Sequence, residues 1–114
     1  MGVDLVGHGG ASFNWSAWRS SLQVAEAFGW HAAGTIMPHN EIDRIWEGGY
    51  FSNDCQEVTD DDAHALGLAI HRAVTALRTG QKLTEEQANA CTGVNITALC
   101  EVGDYALQGG FAIY

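Results

Sequence analysis

Gly7-His8-Gly9-Gly10 is the short segment whose composition is most typical of a binding loop. Glycines after a strand let backbone N–H groups approach an anion, and a His-Gly-Gly run occurs in the oxyanion loop of esterases. The sequence has neither the G-x-S-x-G elbow of an esterase nor the G-K-[ST] of a Walker-type phosphate loop. Two interpretations follow: a flexible connection from a strand to a helix, or a loop that binds a ligand. In the second, the ligand-binding residues are His8, Gly9, Gly10 and Trp15, with Trp46 and Tyr50 around the same pocket.

The histidines and cysteines do not have the spacing of a metal site. His64 and His71 are seven residues apart in a segment predicted to be helical, which separates them by about 10.5 Å along the axis. No H-E-x-x-H or C-x-x-C pattern occurs. Cys55, Cys91 and Cys100 are odd in number, which argues against a disulfide framework. We therefore expect no metal, no cofactor and buried, reduced thiols.

Negative charge is concentrated in the middle of the chain. Residues 35–62 contain eight acidic residues and one arginine, so this segment carries seven of the nine net negative charges. Helix capping explains residues 60–62 but not the others. Three functions could use the remaining carboxylates. A divalent-cation loop is disfavoured because the D-x-D-x-D-G pattern of a Ca²⁺ loop is absent, and acid–base chemistry by paired carboxylates stays open. Docking onto a basic protein is the least demanding, since it needs only charge and area. The predicted partner-binding residues are Glu41, Asp43, Trp46, Glu47, Tyr50 and Asp54.

The overall composition argues against several classes of function. With 14 acidic and 5 basic residues among 114, the chain has a formal charge of −9, which repels nucleic-acid phosphates and anionic lipid. No apolar run approaches the roughly 20 residues of a membrane span. The N-terminus lacks the basic and apolar layout of a secretory signal. We expect a cytoplasmic protein without direct contact to nucleic acid or membrane.

Caps and apolar spacing predict the helices that must position these residues. Thr59 and the acidic residues after it begin a helix over residues 60–79. An earlier apolar stripe predicts a helix over residues 17–28. A capping box at residues 84–87 opens a short helix, and a further helical segment runs up to Gly109. The last two segments are either separate helices or one bent helix.

The strands are predicted at the two ends of the chain. Residues 3–6 and 110–114 are short apolar runs that pair naturally with each other. Residues 35–37 are a further strand-like segment in the irregular middle of the chain, where residues 50–52 and 55–58 flank a tight turn or an irregular loop at Asn53-Asp54. The predicted fold is α+β: a small single domain over residues 1–114, with three to four helices packed on a small sheet formed in part by the two chain termini.

Four segments resemble a family of small uncharacterised bacterial and phage proteins. They are Met1-Gly2-Val3-Asp4-Leu5, Phe13-Asn14-Trp15-Ser16-Ala17-Trp18-Arg19, Tyr50-Phe51-Ser52-Asn53-Asp54 and Gly109-Gly110-Phe111-Ala112-Ile113. The resemblance spans nearly the whole chain. It implies a compact domain of bacterial or mobile-element origin, and it implies no catalytic residue.

Charge and resemblance together favour one hypothesis and leave two alternatives. The favoured one is a small acidic phage- or mobile-element-type protein that binds another protein, such as an inhibitor of a host defence or nucleic-acid-handling complex (anti-CRISPR-like). The first alternative is a small-molecule-binding or enzymatic domain with its site around residues 7–10 and Trp46. The second is a structural homodimer whose interface uses tryptophan and tyrosine side chains.

Overall fold

A computed structural model describes residues 2–37 and 46–114. This part of the chain contains four helices and a four-stranded sheet that includes both chain ends, which is the predicted α+β class. The elements are β1 (Gly2–Gly7), β2 (Gly9–Asn14), α1 (Trp15–Ala27), β3 (Gln56–Val58), α2 (Asp60–Thr79), α3 (Glu85–Cys91), α4 (Ile96–Leu107) and β4 (Phe111–Ile113).

The sheet is antiparallel throughout, with strand order β2-β1-β4-β3. The two chain ends pair as predicted, since Leu5 lies opposite Ile113 and the backbones of Asp4 and Tyr114 exchange two hydrogen bonds. Side chains alternate between the two faces of a strand. Val3, Leu5 and Ile113 are fully buried beneath the helices, so the core lies on one face of the sheet only.

The prediction of a flexible connection after β1 is wrong, because residues 9–14 form strand β2. The chain reverses at His8 and Gly9, where Gly9 adopts a φ of +94° that suits glycine. Ala11 and Phe13 then turn toward the helices, and Phe13 is buried. The run is rich in Gly and Ser, which have low strand propensity. Its pairing with β1 overrides that local preference.

Side-chain caps set the helix starts. Thr59 Oγ1 accepts from the Asp62 N–H at 3.2 Å, and α2 ends at Gly80 in the left-handed region, so the predicted helix over 60–79 is confirmed at both ends. Asn14 caps α1, which begins two residues before the predicted position. The last third forms two separate helices, α3 and α4.

Two glycines let α2 and α4 pack closely. A Cβ on Gly67 would lie 2.7 Å from Leu107 Cγ and 3.0 Å from the Gly103 carbonyl oxygen. A Cβ on Gly103 would lie 2.7 Å from Ile70 Cγ2. Neither position has space for a larger residue. The backbones of α2 and α4 are therefore in close contact at these two glycines.

The expectation of buried thiols is wrong. Cys55 is exposed and has a φ of +68°, which is unusual for a residue with a Cβ. Cys91 and Cys100 are partly buried, and all three thiols are free. Burial raises the pKa of the Cys91 thiol.

Within the described ranges, no helix combines the length and apolar character needed to span a bilayer.

Candidate protein-binding face

Among residues 2–37 and 46–114, no helix lies on the face of the sheet turned away from the helical layer. Its central row runs across the strands, with Val6 opposite Ala112, Ala112 opposite Glu57, and Glu57 bridged to Ile36. Val6 and Ile36 are each 48% exposed. Tyr114, which lies opposite Asp4 in the next row, is 47% exposed. We call this surface the outer face; its residues are Asp4, Val6, Gly10, Ser12, Ile36, Glu57, Ala112 and Tyr114.

The outer face exists because the strand pattern is apolar on both sides at its centre. In β1, Leu5 faces the helices while its neighbour Val6 faces outward. In β4, Phe111 and Ile113 face inward, and Ala112 lies between them on the outer side. An ordinary solvated sheet face carries polar residues at such positions. The outer face has an apolar centre instead.

The charged residues of the outer face are acidic. The four strands contain Asp4 and Glu57 and no lysine or arginine. Asp4 Oδ1 accepts from Ser12 Oγ at 2.6 Å, which holds that carboxylate over β2. Arg72 and Arg78 lie on α2, in the helical layer on the other side of the sheet. Among the described residues, the outer face thus carries two carboxylates and no basic side chain.

A cavity of about 360 Å³ opens at the end of the outer face where β4 begins. Asp60 Oδ1 accepts from the Gly110 N–H at 2.7 Å and forms part of its wall. The cavity is lined by backbone and apolar groups, by the carboxylates of Glu57 and Asp60 and by Thr59, without a Ser, Cys or His among them. Its lining residues are Val6, Glu57, Val58, Thr59, Asp60, Gly110, Phe111 and Ala112.

His8 lies beside this cavity but does not line it. Its Nε2 is 2.9 Å from the position that a Cβ on Gly109 would take, and Asp60 Oδ1 is 3.3 Å from the same position. The imidazole and the carboxylate thus both lie close to Gly109. The exposed hairpin residues Gly9 and Gly10 also lie outside the cavity lining.

A buried carboxylate, Asp62, holds the segment that leads to Ile36. Its Oδ1 accepts from Trp30 Nε1 at 3.0 Å and from the Ala33 N–H at 3.2 Å, and its Oδ2 accepts from the Tyr50 hydroxyl at 2.5 Å. Burial raises the pKa of Tyr50, and the hydrogen bond to Asp62 raises it further. The hydroxyl stays protonated and donates to Asp62 at neutral pH.

The sequence does not identify this carboxylate network. The position of Asp62 before an apolar stripe predicts a role in capping and with the helix dipole, as for its neighbours Asp60 and Asp61. Asp62 is only 3% exposed, whereas Asp60 and Asp61 are exposed. The one sequence signal for this network is the presence of tryptophan and tyrosine residues before α2, because a buried indole N–H or phenol hydroxyl needs a polar partner. This signal does not indicate which of the three adjacent aspartates is that partner.

The predicted partner-binding residues fall into different environments. Glu41 and Asp43 lie outside the described residues. Glu47 is exposed, and Trp46 is half-buried with its indole N–H donating to Thr35. Tyr50 is only 6% exposed and faces Asp62. Asp54 is half-buried, next to β3.

The predicted ligand-loop residues do not converge on one cavity. His8, Gly9 and Gly10 are exposed at the β1–β2 hairpin. Trp15 is half-buried at the first turn of α1 and packs against the core. Across residues 2–37 and 46–114, no three His, Cys, Asp or Glu side chains come close enough to hold a metal ion.

Comparisons with protein-family models, with curated proteins and with solved structures found no match to this chain. The resemblance to small bacterial and phage proteins therefore depends on the four quoted sequence segments alone. The outer face is the feature of the described structure from which function can be argued.

Proposed function

We propose that this protein acts by binding the basic surface of another protein through its outer face, and that it catalyses no reaction. The observation that carries the proposal is the exposed apolar centre of the sheet. Val6 and Tyr114 are each about half exposed beside Ala112, and Ile36, equally exposed, lies on the far side of Glu57 in the same row. Exposed apolar patches with polar rims are typical of protein-interaction sites.

Charge favours a basic partner. The chain has a net charge of −9, and Asp4 and Glu57 lie within the outer face. A negative surface attracts a positive one during encounter and disfavours acidic competitors. Glu47 is exposed as well, and Glu41 and Asp43 are included in the proposal on the strength of the sequence.

The proposal extends to a biological role in the cytoplasm. Proteins that handle nucleic acid have basic grooves, because they neutralise phosphates with lysine and arginine. An acidic protein of phage or mobile-element type occupies such a groove in place of the nucleic acid. This supports an inhibitor of a host defence or nucleic-acid-handling complex. The resemblance and the charge are its two supports.

The small-molecule alternative has less support. The cavity beside the hairpin contains Asp60 but not His8, Trp15 or Trp46, which were expected to form one site. The homodimer alternative predicts a doubled mass in solution, and light scattering on the purified protein measures it directly. A dimer that buries the outer face would compete with the proposed partner for the same surface.

The proposed function is tested by a pull-down and native-gel assay against basic nucleic-acid-binding complexes, with two charge-matched variants. Val6→Arg places a positive charge at the centre of the outer face. Gln23→Arg adds the same charge on the exposed side of α1. Because a mismatched charge at an interface centre costs several kcal/mol, we expect Val6→Arg to weaken capture at least about tenfold and Gln23→Arg to leave it within about twofold.

Neutralising the acidic segment gives a second comparison. Glu41→Gln, Asp43→Asn and Glu47→Gln combined remove three negative charges without adding volume. We expect weaker capture and a smaller effect of salt, since exposed charges are screened by ions. Capture that is equal for Val6→Arg, Gln23→Arg and the neutralised variant contradicts the proposal.

A further inference from the structure

Strand β2 (Gly9–Asn14) lies at one edge of the sheet, and no other described strand pairs with its outer side. Natural edge strands are commonly protected by lysine, proline or bulges. The sequence of β2 is Gly-Gly-Ala-Ser-Phe-Asn, which contains neither lysine nor proline. It extends over six residues, about 20 Å. The edge is long enough to accept another strand.

The pairing pattern identifies the backbone groups on this edge. The N–H and C=O of Asp4 bond to Tyr114 of the chain end, so they point away from β2. Asp4 lies opposite Ser12, and Val6 lies opposite Gly10. In an antiparallel ladder, such non-bonded pairs direct the backbone groups of both residues outward. The N–H and C=O of Gly10 and Ser12 therefore face the free edge.

A groove of about 390 Å³ runs between this edge and α4. Tyr105 fixes its wall, because the Tyr105 hydroxyl donates to Gly9 O at 2.8 Å and lies 3.1 Å from Leu5 O. Burial raises the pKa of Tyr105, which keeps the hydroxyl protonated. The groove is lined by Gly10, Ala11, Ser12, Phe13, Glu101, Asp104, Tyr105 and Gln108.

The charges around the groove are of one sign. Glu101 and Asp104 line it from α4, and its lining contains no lysine or arginine. Asp104 already contacts His71 at 2.9 Å, whereas Glu101 is exposed to solvent. On the outer face of the sheet, the Ser12 hydroxyl donates to the Asp4 carboxylate and holds it over β2. An added strand would thus have carboxylates on both of its faces.

We propose that the β2 edge binds an extended basic segment of the partner protein as a fifth strand of the sheet. This inference rests on the proposed function and names its binding mode. Backbone hydrogen bonds to Gly10 and Ser12 supply affinity, as in other cases of strand addition. Alternate basic side chains meet Glu101 and Asp104 on the helix side. The other side chains of the added strand lie on the outer side beside the small residues of β2, about 10 Å or two strand spacings from Asp4.

The test uses a fluorescent eight-residue peptide of alternating lysine and valine as the probe. Two control peptides accompany it: the same sequence N-methylated at every second residue, and a neutral peptide of alternating serine and valine. Anisotropy gives the affinity. Hydrogen exchange followed by NMR reports protection of the Gly10 and Ser12 amides. We expect the basic peptide to bind and to protect both amides, and the N-methylated peptide to bind at least about tenfold more weakly.

Two variants of one residue separate backbone pairing from side-chain contact. Ser12→Pro removes an N–H that faces the free edge, which edge strands tolerate. Ser12→Ala removes only the hydroxyl. Because both variants lose the hydroxyl that donates to Asp4, we expect Ser12→Pro to bind about tenfold more weakly than Ser12→Ala. The N-methylated peptide gives the same information on the unmodified protein if Ser12→Pro fails to fold.

Each other outcome overturns the inference in a distinguishable way. The basic peptide could bind equally with and without N-methylation and yet fail to bind the Val6→Arg variant. In that case the proposed function stands and strand addition is wrong. Equal binding of the neutral peptide contradicts the basic character of the segment. A doubled mass in light scattering that Ser12→Pro abolishes assigns the edge to a second copy of this chain. No binding of any peptide also overturns the inference, while pull-down of a basic complex decides the proposed function separately.

Discussion

Replacing Asp62 by alanine removes the acceptor on which one side of the domain depends. The Asp62 carboxylate accepts hydrogen bonds from Trp30, Ala33 and Tyr50, and these residues belong to the two segments that precede α2. Alanine leaves three donors without that partner, and two of them, the Trp30 indole and the Tyr50 hydroxyl, are buried. The same change removes a carboxylate from the first turn of α2, where the helix dipole favours negative charge.

The expected cost is worked from these contacts. Hydrogen bonds to a charged group contribute about 1.5–3 kcal/mol each, so three of them amount to at least about 4.5 kcal/mol. Losing the buried carboxylate also relieves part of its desolvation cost, which offsets some of that loss. We expect Asp62→Ala to lower the free energy of unfolding by about 3–4 kcal/mol. That is a large part of the stability of a domain of this size.

Asp61→Ala is the matched control, because Asp61 lies in the same helical turn but is exposed. It loses only the dipole interaction, about 0.3–1 kcal/mol. Urea unfolding followed by tryptophan fluorescence measures both variants, provided the slope m is unchanged. A difference of less than about 1 kcal/mol between Asp62→Ala and Asp61→Ala would refute the reasoning, since that is the scale of a dipole interaction alone.

Two further predictions concern alkaline pH and helix packing. Folding raises the pKa of Tyr50 above its unfolded value of about 10. The stability contributed by the protonated Tyr50 hydroxyl is therefore constant below about pH 9. As pH rises above 10 this contribution falls by about 1.4 kcal/mol per pH unit. In pH-dependent urea unfolding, we expect the stability difference between wild type and Tyr50→Phe to be flat at neutral pH and to shrink above pH 10; a difference that stays constant up to pH 11 contradicts it. Gly67→Ala places a methyl group 3.0 Å from the Gly103 carbonyl oxygen, so we expect it to lower the melting temperature and cost about 1–3 kcal/mol despite the better helix propensity of alanine. Thr75→Ala, on the exposed side of the same helix, changes stability by less than about 0.5 kcal/mol; equal stability of the two variants shows that the helices do not need the close approach.

Local sequence rules predicted the parts of the fold that depend on local chemistry. Thr59 and Gly80 mark both ends of α2 because a side-chain oxygen and a left-handed glycine are each strong local determinants. The pairing of the two chain ends followed from short apolar runs at each end. Strand β2 was missed because Gly9, Gly10 and Ser12 have low strand propensity, and their structure depends on pairing with β1.

The candidate site was less predictable than the fold. The net acidity of the middle segment was readable from composition, but burial divides its residues. Asp62 is buried and structural, Asp60 bonds to the Gly110 backbone, and Glu47 is exposed. The exposure of Val6 cannot be predicted without knowing which face of the sheet the helices cover. When a strand has apolar residues on both faces, its sequence does not show which face is exposed.

The most direct measurement is the map of amide chemical-shift changes when a captured basic partner, or the lysine–valine peptide, is titrated into the labelled protein. We predict that the partner changes the shifts of Asp4, Val6 and Ala112 on the outer face and of the β2 edge, and that the peptide changes those of the β2 edge. Changes concentrated instead on the exposed side of α2, around Thr75 and Arg78, would contradict the assignment of binding to the outer face.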